Sequence, residues 1–549
     1  MAHPTANLWP KFDSFNIGIL PVPPHPKLSL HYLKKIANYA RNKGKAGCPR
    51  LSYPTWKHIA CNKLGLLEDL AWMYFEGFDL LTEHSPEERL QYHEGAVQNS
   101  KAIDVWRNSL SVDTLQFLLY LFLQQLHKIS LRSSLVAGEE WPSRSRSPDI
   151  DGRTSPGSST KNVDESNHLV FVLNYLSDIL ALLAEADSYS STANDVLLSV
   201  QSVEALSFLF EGTTNKNKTI QPVHQIALHQ QMQSRSGYSK ITQAFSFKTF
   251  ESWVRSSLGS NPFGITGCIQ SGHRLSWSTA GEDGTKRGRV ATNCNKAPKT
   301  SQLVILSQIS KQTLAKSSQI LVDSRVKVHR CHYSYIYLLS PVRFASIEKC
   351  RHTTVVLGAV ETSVHLIGCE HVTVIAAAGR FTVSGSTLCT LHMLTPTRPV
   401  LLGGNDSLVL APYHTHYPML QHDMASIGLA PKPSQWNNPI CVGPDHQEEH
   451  PVYKLMSPKE FYTFVIPFEM DGTTTEVPGG LPVQYEKALV QRDRQINNWQ
   501  QSVKETSLTA EQKKHLQALV ENKFQIWLAE TGHKRELDGL VPMSLSPGK

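Results

Sequence analysis

The sequence predicts a multidomain α + β protein in which a parallel β-helix stands between an α-helical N-terminal region and a helical C-terminal tail. Three observations predict it. Apolar residues recur at helical spacing up to about residue 260, short β-prone runs recur at a fixed period from about 300, and helical spacing returns in the last hundred residues. The chain has 549 residues, more than one ordinary core fills. The boundaries expected are an α-helical region over 1–260, a linker over 261–297, the β-helix over 298–430, and a region of short strands and long helices over 431–549.

In the first region, Leu169, Val172, Leu173, Leu176, Ile179, Leu180 and Leu183 lie on one helical face. A second helix is expected over 111–126, SVDTLQFLLYLFLQQL, with Ser111 and Asp113 as caps. FKTFESWVRSSLG at 247–259 is amphipathic and ends on Gly259. Between the first two helices, residues 139–167 are rich in Ser, Pro, Gly and Asp with little to bury, so they are expected to be a disordered insertion.

The β region holds a repeat. Cys331, Cys350 and Cys369 are spaced by 19 residues, each three positions after an apolar residue (Val328, Ile347, Leu366). The series continues through Val383 with Ser386 and Leu402 with Asn405. Near-equal periods without a helix describe stacked β-coils about 4.8 Å apart, in which equivalent side chains form ladders. The cysteines are then an internal stack of small side chains rather than a zinc site. His329, His332, His414 and His416 are taken as turn or surface histidines, since no second paired ligand motif accompanies them. In the tail, Thr509-Ala-Glu-Gln512 has the spacing of a capping box. The helix it opens carries Leu516, Leu519, Val520, Phe524 and Trp527 and is expected to stop at Gly532.

Several function classes are excluded. The net charge of +7 is spread thinly, so no nucleic-acid partner is expected; the densest basic run, 284–300, is taken mainly as a solvated linker. The run at 115–126 is far short of the roughly 20 apolar residues a bilayer requires, so no membrane insertion is expected. The N-terminus lacks signal-peptide character, and nine cysteines without CxxC spacing suggest reduced thiols in the cytoplasm. Acidic residues in 326–412 are scattered, unlike the paired carboxylates of a polysaccharide-cleaving β-helix. Neither a GxxxxGK[ST] loop nor a GxSxG elbow is present, and no cofactor or metal is expected.

The coil segments IEKC, IGCEHVTVIAAAGRFTVSGS and LTPTRPVLL resemble the tubulin-binding cofactor C domain family, whose fold is a right-handed parallel β-helix. VPPHPKLSLHYL at 22–33, the 111–126 helix, HTHYPML at 414–420 and PFEMDGTTTEVPGGLP at 467–482 extend that resemblance over nearly the whole chain. It implies a non-catalytic cytoskeletal organiser that helps position the centrosome and Golgi and affects cell shape and migration. The implied location is the cytoplasm at the centrosome, microtubule organizing center and spindle poles. The implied partners are centrosomal or microtubule-associated proteins, tubulin, or a small GTPase.

Catalytic members of the family carry a Gln-x-Arg motif whose arginine acts as a finger on tubulin or an Arf-like small GTPase, an effect worth about 10³–10⁵ in rate. Laid on AAAGRFTVSGS at 376–386, that motif puts Arg380 at the glutamine position and Thr382 at the arginine position. Threonine carries no charge, so no catalytic residue is expected. Phe381 and Val383 should point inward and Arg380, Thr382 and Ser384 outward. Arg380 would then be about 6–7 Å out of register along the strand. It is expected to be an ordinary solvated charge first, a partner contact with Thr382 and Ser384 second, and a catalytic cation last. The alternative from the enzyme class is a GTPase-activating protein or cofactor for tubulin or an Arf-like GTPase.

Overall fold

The structure is a computed structural model describing residues 5–20, 25–43, 50–82, 84–97, 107–126, 156–184, 196–214, 219–262, 265–270, 303–316, 321–443, 451–467, 470–531 and 534. The chain divides into two compact units. The first comprises 1–84, 95–266 and 293–302, the second 85–94, 267–292 and 303–549.

The first unit is helical, with small antiparallel pairings between its helices. Of the expected stripe, Val172, Leu176, Ile179, Leu180 and Leu183 of the helix Pro156–Leu183 are fully buried, with Phe171 joining them, whereas Leu169 and Leu173 are half-buried. That helix begins within the expected insertion, at residue 156. Proline suits the first helical position, where no intrahelical N–H bond is lost, and the polar segment continues as helix N-terminal to the buried stripe. Residues 139–155 and the basic run 284–300 lie outside the described residues. Ser166–Leu183 is long and apolar enough to cross a membrane by length and composition alone, although its apolar stripe is part of the unit's core.

The second expected helix spans Thr114–Leu123. Asp113 caps it by accepting from Gln116 N–H at 2.8 Å. Ser111 does not cap; it lies in a short strand, Ser111–Asp113, paired with Arg50–Ser52. Trp56, Phe75, Phe78, Phe117 and Tyr120 form an edge-to-face and stacked aromatic core beneath the helix. The amphipathic segment forms Phe247–Ser257, with Phe250, Trp253 and Val254 inward. Of the expected linker 261–297, residues 265–270 form a strand that extends the solenoid sheet beyond Leu303–Ser307.

The second unit is a parallel β-solenoid of about six turns over 303–412. One face is built from Leu303–Ser307, Arg325–His329 and Phe344–Glu348, and continues into Thr354–Ile367, Thr373–Ser384, Val400–Leu401 and Ile440–Cys441. A second face runs from Thr313–Lys316 through Tyr335–Leu338 to Thr390–Leu394, Leu408–Pro412 and Tyr453–Leu455. Thr354–Ile367 and Thr373–Ser384 belong to both faces, bending between them. Val, Leu and Ile from each coil fill the interior, and each such side chain, fully buried, stabilises the fold by about 1.5–3 kcal/mol.

The cysteine repeat is one corner of this solenoid. Cys331, Cys350, Cys369, Ser386 and Asn405 stack in one buried column, as the spacing predicts. Cys331 N–H donates to Cys350 Sγ at 3.4 Å, Cys369 N–H to Ser386 Oγ at 3.2 Å, and Ser386 N–H to Asn405 Oδ1 at 3.0 Å. Asn405 Nδ2 in turn donates to Val383 O and Leu402 O. Hydrogen bonds to the neighbouring thiols, with burial, raise the Cys350 pKa. The described residues contain no His, Cys, Asp or Glu group that could hold a metal.

Two residues in each turn adopt left-handed backbone, one just before the column and one two residues after it. Arg330, Lys349, Gly368, Gly385 and Gly404 take the first place, and Tyr333, His352, His371, Leu388 and Ser407 the second, with φ from 45° to 76°. A non-glycine residue there costs about 1–2 kcal/mol. Bonds to the next coil offset it, for example Lys349 N–H to Ile367 O at 2.9 Å and His352 N–H to Glu370 O at 3.0 Å.

In the tail, Val483–Glu505 and Ala510–Thr531 are long helices. The capping box forms reciprocally: Gln512 N–H donates to Thr509 Oγ1 at 3.3 Å and Thr509 N–H to Gln512 Oε1 at 2.9 Å. Gly532, the expected stop, lies outside the described residues. Leu519, Val520, Phe524 and Trp527 are exposed.

Candidate binding face of the solenoid

The strand Thr373–Ser384 passes from one face to the other at Gly379. A Cβ at this position would lie 2.5 Å from Thr362 O and 2.6 Å from Glu361 O. The Gly379 carbonyl accepts from Thr397 Oγ1 at 2.7 Å and from Thr395 Oγ1 at 3.3 Å. Glycine here lets two coils approach at the bend, and that approach aims the next residues, 380–384. Gly379→Ala is expected to cost about 1–3 kcal/mol through overpacking, read as a lower denaturant midpoint. An unchanged midpoint would contradict this account of the bend.

Beyond Gly379 the strand alternates as expected. Phe381 and Val383 enter the core, with Phe381 beside Val364 and Val383 between Leu366 and Leu401. Arg380, Thr382 and Ser384 take the opposite side. Arg380 is beside Ser363, and Thr382 lies between His365 and Val400.

This side is not solvated, which corrects the view of Arg380 as an ordinary surface charge. Arg380 is 3% exposed and Thr382 2%, and their neighbours Arg325, Phe344, Ser346, Ser363 and His365 are also buried. Only Ser384, farther along the strand, is partly exposed. Alternation determines which side of a sheet a side chain takes, not whether that side is covered.

The face is a packed polar layer, buried at Arg380, Thr382 and His365 and partly exposed at Lys327 and Glu348. His365 packs edge-on against the Phe344 ring, centroids 5.0 Å apart, with Nε2 3.2 Å from Ser363 Oγ. Burial, with the nearby Arg380 charge acting in the same direction, pushes the His365 pKa down to about 4, so the imidazole is neutral at physiological pH. One column over, Glu348 pairs with Lys327 at 2.9 Å and accepts from Ser346 Oγ at 2.6 Å. Burial opposes its ionisation, but Lys327 and Ser346 together hold its carboxyl below the usual range. The Thr382 hydroxyl is buried with no hydrogen-bond partner among the described residues.

Sequence reasoning found Arg380, Thr382 and Ser384 but missed Lys327, Ser346, Glu348 and His365. A signal was present: the coil period carries Thr382 back to His365, then Ser346, then Lys327, in one column.

Residues 323–440 match the family model for tubulin binding cofactor C, which covers most of the solenoid and this face. TBCC domain-containing protein 1 of Rattus norvegicus is 50% identical over 545 residues, spanning 97% of this chain and 95% of that protein. The chain belongs to the TBCC domain-containing protein 1 family. The proteins of that name from Homo sapiens (50% identity over 545 residues, 97% of each chain) and Danio rerio (48% over 556 residues, 99% of this chain and 95% of that one) show the same end-to-end relation. Family membership therefore extends to both helical regions as well as the β-solenoid. The TBCC solenoid supplies the tubulin-cofactor-related part of the chain, and the candidate face lies within it.

Proposed function

We propose that this chain is a non-catalytic cytoskeletal organiser. It acts in centrosome and Golgi positioning, with effects on cell shape and migration, from the cytoplasm at the centrosome, microtubule organizing center and spindle poles. Its partners are centrosomal or microtubule-associated proteins, with tubulin or a small GTPase as further candidates. One observation supports the non-catalytic reading most. The position matching the family's finger is Thr382, uncharged and 2% exposed, and its neighbour Arg380 is 3% exposed. A finger works by meeting the charge that develops on a transferred phosphoryl group. A guanidinium held inside a packed layer does not present that charge, and a displacement of even about 1 Å costs on the order of 100-fold in rate.

The test is single-turnover GTP hydrolysis by tubulin and by Arf-like GTPases, with and without the full chain. Rates are expected to be unchanged by the protein and by its Arg380→Ala variant. Acceleration lost on Arg380→Ala would establish the GTPase-activating alternative instead. Truncation near residue 290, imaged against a pericentriolar marker, separates targeting by the N-terminal helical region from targeting by the part of the chain that holds the solenoid.

A further inference from the structure

The turn corner of the solenoid, where the strands of the candidate face end, carries an ordered surface of its own. Its four-residue turns stack in register, joined by single parallel bridges from Ser310 through His332, Arg351, Glu370 and Thr387 to Asp406. The second residue of each turn enters the buried column already described; the others line the outside edge.

Along that edge charge is segregated. The first three turns, 308–311, 330–333 and 349–352, hold Lys311, Arg330, Lys349 and Arg351 and no carboxylate. All four cations are exposed. Carboxylates begin only in the fourth turn with Glu370, which meets Arg351 at 3.2 Å in an exposed pair worth little. Beside the cations runs a stack of exposed rings. Tyr333 and His352 are parallel within 3° at 4.7 Å between centroids, and His352 and His371 within 10° at 4.7 Å. The left-handed backbone at each of these ring positions repeats the same projection at every coil.

We propose that this edge binds an acidic, glutamate-rich peptide segment of a partner protein. Arg330 and Lys349 take the same place in successive coils, about 4.8 Å apart, and Lys311 and Arg351 stand on the same edge, so several carboxylates of one flexible acidic chain can be met together. Rings stacked face to face present their edges outward, and ring edges are the positive part of the aromatic quadrupole, which also favours carboxylates. The same stacking decides against nucleic acid as the occupant. Single-stranded nucleic acid binds by laying bases on open ring faces, and here the neighbouring rings cover those faces.

The test uses the full chain and a fluorescein-labelled oligoglutamate peptide, followed by anisotropy at low and at physiological salt. Saturable binding that weakens with salt is expected. Arg330→Asn/Lys349→Asn should weaken it by about tenfold or more with an unchanged melting temperature, since asparagine tolerates left-handed backbone. Arg351→Gln, at a position free of that backbone constraint, should weaken it several-fold. Absence of binding, or variants that bind like the unmodified chain, would overturn the proposal. So would an unlabelled oligothymidylate that displaces the peptide more effectively than oligoglutamate does.

Discussion

Thr382→Arg, which restores the residue type of the family's finger, is expected to destabilise the solenoid by about 3–5 kcal/mol without creating a GTPase-activating protein. Thr382 is 2% exposed and lies between His365 and Val400, with Arg380 two residues earlier on the same side. A guanidinium introduced there is a buried charge without a counter-ion designed for it, beside a cation already present. It is also far larger than the side chain it replaces. Thr382→Val is the informative companion. It removes a buried hydroxyl that has no partner among the described residues, so it should leave stability unchanged or raise it by about 1 kcal/mol. Chemical denaturation of the full chain measures both. A Thr382→Arg protein with the midpoint of the parent would mean that this face opens to solvent readily, and the solvated view of Arg380 would return.

The second large effect is acid destabilisation of the solenoid. His365, His392 and His414 are buried, and burial holds their pKa values at about 4, about 4 and about 2. His392 and His414 stack at 3.5 Å with Phe461 and Phe464 around them, so a proton on either would place a charge in an aromatic layer. The unfolded chain binds these protons near pH 6.5 and the folded chain does not, so the unfolded state gains as pH falls. Stability from these groups is therefore fully present above pH 6.5. It declines below that by about 1.4 kcal/mol per pH unit for each histidine, down to its folded pKa. Melting temperature should fall steeply between about pH 6.5 and 5, and His392→Gln/His414→Gln should flatten that slope. A profile flat across this interval would show that the rings take up protons without unfolding.

The fold was legible in the sequence to the extent that it rests on periodicity. The 19-residue spacing of Cys331, Cys350 and Cys369 gave the coil and its buried column, and continued correctly to Ser386 and Asn405. The backbone of the turns was not legible. Left-handed positions are usually announced by glycine, but Arg330, Lys349, Tyr333 and His352 occupy them, because bonds to the next coil offset a cost that local sequence does not display. A serine ahead of an apolar run has the appearance of a cap, as Ser111 does. Its pairing with Arg50–Ser52, some sixty residues away, is a tertiary matter. The candidate site was half legible for the same reason. The side on which Arg380 and Thr382 lie followed from alternation, whereas how deeply that side is buried does not follow from alternation at all.

The bend between the two faces has one further consequence. Across Thr354–Ile367 and Thr373–Ser384 the partner offset is 19 residues at Val356 and Ile375, 18 at Ala359 and Ala377, and 17 at Ser363 and Arg380. Two single-residue slips thus fall within one pair of strands. This coil is shorter than the one before it, while every side chain keeps its side. The next coil gains one residue at the same bend, its offset rising from 17 at Thr373 and Thr390 to 18 at Thr382 and Val400, so the bend absorbs changes in chain length of either parity while the strand after it keeps Thr382 opposite His365.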